Sequence, residues 1–186
     1  MVEEVVTEEK RTVVSENHPK PMAEIEETRM MRIPTGLAEV DRVLGGGIVP
    51  GAFMLLGGDP GIGKSTLLLQ IAALVSQSGP VLYITAEESE AQTRIRAERL
   101  GLPIGQVYLM AEGNIDAIVA ALEAEPWRLA VVDSLQTVYN PQLESAPGSV
   151  SQVRDVAARL MRVAKNGCPL FLVGHVNKEG SMRPAA

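Results

Sequence analysis

Gly58-Asp-Pro-Gly-Ile-Gly-Lys-Ser65 fits the pattern G-x-x-x-x-G-K-[ST] residue for residue. An apolar run, Ala52 to Leu56, precedes it, and a helix-like run, Thr66 to Ser78, follows it. That strand–loop–helix context is what a phosphate-binding loop needs. The glycines Gly58, Gly61 and Gly63 permit backbone conformations that a side chain would forbid. Successive N–H groups, from Asp59 and Pro60's neighbours through Ile62 to Thr66, can then turn inward on phosphate oxygens. The following helix adds its positive N-terminus. Lys64 is placed for the β/γ-phosphates and the Ser65 hydroxyl for Mg²⁺.

Outward from that loop the chain alternates. A short helix capped by Thr35 and running through Leu44 is expected first, with Leu37, Val40, Val43 and Leu44 on one side. Gly45-Gly-Gly47 ends it. After the loop come a strand at Val81–Ala86, a Glu- and Arg-rich helix over Ser89–Leu100 and a strand at Val107–Met110. A helix capped by Asn114 reaches about Glu123, and a strand at Leu129–Asp133 opens a long loop to Gly148. Ser149-Val-Ser-Gln152 reads as a capping box for a helix reaching Lys165. Its apolar stripe is Val153, Val156, Ala157, Leu160, Met161 and Ala164; Arg154, Arg159, Arg162 and Lys165 share the other face. That face is a solvated surface or a contact for nucleic acid or another subunit. The last strand is Leu170–His175.

Strands that are apolar throughout, separated by helices, imply an α/β fold with a mainly parallel sheet and helices on both faces. Ligands in such sheets sit at the carboxyl ends of the strands. Asp133 closes the run Leu129-Ala-Val-Val132, where a Mg²⁺-organising carboxylate belongs. Glu87 and Glu88 follow the second strand. Neighbours on a strand point to opposite faces, so one of them, Glu87 by preference, is expected to position water for hydrolysis. His175, at the end of the last strand, lies on the same edge and is a candidate phosphate sensor.

Composition narrows the class. The 186 residues are 46% hydrophobic and 22% charged, which suits one sizeable globular domain. One cysteine, Cys168, rules out a disulfide framework or a cysteine-rich zinc site within the chain, and reads as a small core residue. Trp127, after Pro126, reads as core packing. No apolar stretch approaches membrane-spanning length, and the N-terminus lacks the order of a signal peptide, so a cytoplasmic location is expected. The net charge of −6 is concentrated in residues 1–29, with eight Glu against four Lys/Arg. Residues 1–31 are expected to be a disordered acidic tail or linker, with His18 alone in it, and 32–186 the ordered domain. Nonspecific grip on duplex by the whole surface is not expected from such a charge balance.

Several motifs coincide with one family. They are Arg32-Ile-Pro-Thr-Gly36, Leu44-Gly-Gly-Gly-Ile-Val-Pro-Gly51, Gly57 through Gln70, Ala86-Glu-Glu-Ser89, Val132-Asp-Ser-Leu-Gln-Thr-Val-Tyr139, Ser145 through Arg154 and Gly174-His-Val-Asn-Lys-Glu-Gly180. Over roughly residues 32–180 the chain resembles the ATPase core of the bacterial RadA/Sms family, a RecA-like group. The resemblance implies a RecA-like P-loop NTPase core using ATP and Mg²⁺. It also implies action on single-stranded or branched DNA in homologous recombination and repair, alongside a RecA-type recombinase. The full-length family forms a homo-oligomeric hexameric ring. By resemblance Lys64 and Ser65 hold phosphate and Mg²⁺, Glu87 is the hydrolytic glutamate, Asp133 the acidic residue of the second nucleotide motif and His175 the γ-phosphate sensor. The loop Gln136–Gly148 and the segment after His175 correspond to loops facing single-stranded DNA.

The family's four-cysteine zinc module, its Lys-Asn-Arg-Phe-Gly motif and its protease-like C-terminal domain have no counterpart in these 186 residues. A core truncated at the C-terminus, with a sheet edge left open, is therefore expected. Ala86 and Asn177 stand where the family commonly has Gly and Thr. Two other readings remain open at this point: a nucleotide-binding module without useful turnover, and a small-molecule kinase on the same loop, which would need an acceptor site and a mobile lid.

Overall fold

The computed structural model describes residues 19–24 and 31–175. Most of the acidic N-terminal segment, His18 and the segment after His175 lie outside the described residues. Among those described, five parallel strands form one sheet: β1 (Phe53–Gly58), β2 (Val81–Thr85), β3 (Val107–Ala111), β4 (Leu129–Asp133) and β5 (Leu170–His175). Their spatial order is β1-β5-β4-β2-β3. The helices are α1 (Ala38–Val43), α2 (Lys64–Val75), α3 (Glu90–Arg99), α4 (Ile115–Ala124) and α5 (Val150–Lys165).

The order explains the layers. From β1 to β2 to β3 the chain moves one way across the sheet, through α2 and α3. From β3 to β4 to β5 it moves back, through α4 and α5. Parallel crossovers are right-handed, so reversing direction moves the helices to the opposite face. Two cores result. One joins α2 and Ala97 of α3 to Val81, Tyr83, Leu129, Val131, Phe171 and Val173. The other joins α4 and α5 to Leu82, Ile84, Ala130, Val132, Leu170 and Leu172. Every residue of β2 and β4 is buried, as strands covered on both faces must be. β1 and β3 are the edges, and Leu55 on β1 is half exposed.

Local expectations fail where a tertiary partner competes. The first helix starts at Ala38, three residues beyond Thr35, and no side chain caps it. Thr35 is fully buried and donates its hydroxyl proton to Asp41 Oδ1 at 2.8 Å, so it braces the turn before the helix. Val43 points into solvent, while Leu37, Val40 and Leu44 pack on the core. In α5 it is Val163 that is buried and Met161 that is exposed, because the helix packs against α4 as well as the sheet. The Ser149 hydroxyl accepts from Gln152 N–H, as a cap should, but the Gln152 side chain does not return the bond to Ser149. It is drawn into the preceding loop instead, taking Asn140 N–H at 2.7 Å and donating to Ser145 O at 2.8 Å. A complete capping box opens α3, between Ser89 and Gln92. Trp127 packs against the α4–α5 core, donates Nε1–H to Ala121 O and meets Tyr108 edge-on; Cys168 packs against the same core.

Candidate nucleotide site

β1 ends at Gly58 and α2 begins at Lys64, so the loop between them sits at the carboxyl edge of the sheet. Gly61 and Gly63 have φ of 80° and 94°, left-handed values with open space where a Cβ would stand. Their need for glycine is conformational. Gly58 is different: a Cβ there would lie 2.5 Å from the Ile62 side chain, so the loop closes back over it. Asp59 to Gly63 are exposed, and Ser65 and Thr66 are half-buried in the first turn of α2. Lys64 is buried, and its ammonium donates to Gly58 O at 2.9 Å and Asp59 O at 2.8 Å. One cation thus folds the loop around itself.

Asp133 closes β4 and is 6% exposed. It shares the α2 face with Leu129 and Val131. Its Oδ2 accepts a hydrogen bond from the Tyr83 hydroxyl at 2.8 Å, and that hydroxyl also lies 3.4 Å from Ser65 O. Ser65 and Asp133 therefore flank one buried phenol. Burial, then the Asp133 charge and hydrogen bond, holds the Tyr83 phenol well above its ordinary range.

The two glutamates separate. Glu87 Oε1 accepts from the Ser134 hydroxyl at 2.5 Å and stands 3.4 Å from His175 Nε2. Glu88 pairs with Arg96 of α3 at 2.9 Å, and its amide is taken by the Thr85 hydroxyl. Glu88 is thus committed to anchoring α3. The Asp133–Ser134 peptide is cis. Beyond it, Leu135 N–H bonds Val173 O, and buried Gln136 donates to His175 O at 3.0 Å, tying the loop to the end of β5. Lys64, Ser65, Asp133, Glu87 and His175 all lie at one sheet edge. The sequence reading gave no role to Tyr83 or Ser134, and put Gln136 only at the start of a loop expected to face DNA, whereas here it is buried. A lone hydroxyl-bearing ring in an apolar strand was the available signal for the first, since a buried tyrosine needs a partner.

The long loop is mostly tied down. Asn140 is buried and donates to Asp155 at 2.9 Å. Among residues 141–147 the one charged residue is Glu144, so this stretch offers amides and no cation. Of the α5 cations, Arg159 is spent on Asp116 of α4, whereas Arg154, Arg162 and Lys165 are exposed. Among the described residues no helix is long and apolar enough to cross a membrane, and no cluster of metal-ligating side chains of the His/Cys/Asp/Glu type occurs.

A family model described as an AAA domain matches residues 19–181. The chain belongs to that family. Within it, the RadA resemblance carried by the motifs is matched by relatives at about half identity. DNA repair protein RadA of Pseudomonas aeruginosa is 51% identical over 164 residues, 88% of this chain and 36% of the relative. RadA of Bacillus subtilis is 51% identical over 166 residues, with the same coverage. RadA of Streptococcus pneumoniae is 48% identical over 165 residues, 88% of this chain and 39% of the relative. The chain thus spans well under half the length of these relatives. Among solved structures, a DnaB-like replicative helicase superposes with a TM-score of 0.66 at 16% identity, over 81% of this chain and 44% of that one. At that identity the likeness speaks to the fold, a RecA-like P-loop core.

Proposed function

We propose that this chain is the ATP-binding and ATP-hydrolysing core of a RecA-like DNA repair motor, with residues 32–186 as the catalytic domain and 1–31 as a linker. The observation that carries the reading is the convergence at one sheet edge. A buried lysine inside a glycine loop, a buried carboxylate beside Ser65 and a glutamate bracketed by Ser134 and His175 meet there. Lys64 and the N–H groups of residues 58–66 other than Pro60 take the phosphates. Ser65 and Asp133 hold Mg²⁺, which neutralises charge on the transferring phosphoryl group when bound. The donor set fits: one hydroxyl and one carboxylate suffice for an ion that keeps several waters. Glu87 accepts the proton of the attacking water, and Ser134 fixes its carboxylate. His175, in contact with Glu87, reports the state of the terminal phosphate to the chain that follows β5.

By relation to RadA, the DNA is single-stranded or branched, the setting is recombination in the cytoplasm beside a RecA-type recombinase, and the assembly is a ring. The exposed cations of α5 and the segment after His175 are the candidate contacts, since the 141–147 stretch lacks positive charge. The test is steady-state ATP hydrolysis with Mg²⁺, with and without single-stranded DNA, for wild type, Lys64→Ala and Glu87→Gln. Turnover in wild type that is lost in Glu87→Gln, with nucleotide binding kept, is the expected result. Equal turnover in all three discards the role assignments. A module that binds nucleotide without turning it over would show wild type binding ATP while matching Glu87→Gln in rate.

A further inference from the structure

Tyr83 sits in the middle of β2, fully buried in the α2-side core. Its register partner on β4 is Val131, two residues before Asp133. Residues 131 and 133 share a face, so Asp133 is the diagonal neighbour of Tyr83, a separation that an aromatic side chain bridges. The hydroxyl is carried past the apolar core to the sheet edge. There it donates to Asp133 Oδ2 at 2.8 Å, with Ser65 O 3.4 Å away. Among the described residues Tyr83 is the one side chain that hydrogen-bonds the Asp133 carboxylate.

We propose that Tyr83 is a positioning residue for the metal: its hydroxyl fixes one oxygen of Asp133 beside the first turn of α2, leaving the other oxygen to the cation shared with Ser65. The proposal rests on the Mg²⁺ reading of Asp133 given above. A phenylalanine would fill the same volume, so core packing alone does not account for the hydroxyl. A phenol has one proton, and the shorter contact shows it is spent on the carboxylate rather than on the Ser65 carbonyl. The Ser65 carbonyl limits where the ring can go, so the distance between the two metal-holding groups is set from β2. A carboxylate free to rotate would have to be ordered each time the ion bound. A fixed one is ordered by the fold.

The experiment is a Mg²⁺ titration of nucleotide binding to the 186-residue chain, read with a fluorescent ATP analogue, beside binding in excess chelator. Wild type, Tyr83→Phe, Asp133→Asn and the double variant are compared. Tyr83→Phe should raise the Mg²⁺ needed for half-saturation about tenfold, the lower end expected for a hydrogen bond to a charged group, and leave metal-free binding within about twofold of wild type. The double variant should match Asp133→Asn alone. A purely structural role would weaken metal-free binding equally. If Asp133→Asn shifts the Mg²⁺ requirement and Tyr83→Phe does not, the positioning role is wrong and the Asp133 reading stands. If Asp133→Asn shifts nothing, both fall. A measurement on wild type covers the case in which Tyr83→Phe fails to fold. With ζ-¹³C tyrosine, the Tyr83 resonance should move when Mg²⁺ is added to the nucleotide complex, and no movement overturns the proposal.

Discussion

Removing the Gln152 side chain tests whether the long loop is held by one buried amide. Gln152 is 1% exposed. Its Oε1 accepts Asn140 N–H at 2.7 Å. Its Nε2 donates to Ser145 O at 2.8 Å, to Asn140 O at 3.2 Å and to Leu143 O at 3.5 Å. The two short bonds dominate. Gln152→Ala leaves a buried N–H and a carbonyl without their partner, each costing about 1–3 kcal/mol. A water entering the space recovers part of that, so a net loss of about 2–4 kcal/mol is expected. For a domain this size that is a fall in Tm of roughly 5–15 °C. Thermal and urea unfolding measure it, and amide exchange at Asn140 localises it. Gln152→Glu sharpens the test. The carboxylate still accepts from Asn140 but faces three carbonyls with no proton to give. Buried there, its pKa rises above the unfolded value, so stability is highest at low pH and falls as pH climbs past about 4 toward the folded value. Gln152→Glu should therefore be less stable than Gln152→Ala at pH 8, with the gap closing near pH 4. A glutamate variant as stable as wild type at pH 8, with Asn140 exchange unchanged, refutes the claim that this side chain holds the loop.

Four further outcomes are expected. Lys64→Ala removes a buried ammonium with two loop carbonyls on it, and nucleotide affinity by equilibrium titration should drop by about 10- to 100-fold; Glu87→Gln can still accept from Ser134, so affinity should stay within about threefold while hydrolysis slows by about a hundredfold or more. Ser89→Ala removes the hydroxyl that accepts Gln92 N–H at the start of α3, leaving the backbone N–H of position 89 on the Gln92 side chain, and should cost about 1 kcal/mol by urea denaturation, with faster exchange at Gln92 N–H. Burial pushes the Cys168 thiol from its ordinary 9.0 to about 11, so at pH 8 its thiolate fraction is about a hundredfold below that of a free cysteine; iodoacetamide labelling should be slower by that factor and should keep rising with pH past 9, where a free thiol levels off, until about pH 11.

The strands were legible because a parallel sheet buries both faces, and burial writes itself as unbroken apolar runs: β4 and β5 fall where the runs Leu129–Asp133 and Leu170–His175 place them. The phosphate loop was legible because its chemistry is local, with glycines, lysine and serine acting within eight residues. What was hidden depends on partners distant in sequence. Thr35 and Gln152 both carry cap signals, yet each spends its side chain on a nearer buried need, Asp41 in one case and the backbone of residues 140–145 in the other. Spacing assigned Met161 to the core of α5, but the second contact with α4 turns Val163 inward. Alternation puts one of Glu87 and Glu88, Glu87 by preference, toward the site; that Glu88 is engaged by Arg96 of α3 is not legible from the sequence.

The hidden contacts also explain how two consecutive residues serve different halves of the site. Asp133 and Ser134 leave β4 together, yet both are tied back to β2 and the turn that follows it. Asp133 takes the Tyr83 hydroxyl and Ser134 gives its own to Glu87. Thr85 is paired with Asp133 in register, and Ala86 N–H bonds Asp133 O at 2.9 Å, so the Asp133 carboxylate and Glu87 share one strand pairing. A slip of one residue between β2 and β4 would turn Tyr83 away from Asp133 and take Glu87 off Ser134. Such a slip would also send the apolar residues of β2 to the opposite cores. The hydrophobic alternation that stabilises the sheet is therefore the same constraint that sets the spacing of the chemistry. For that reason the site residues sit at the ends of fully buried strands rather than on the exposed loop between residues 141 and 147.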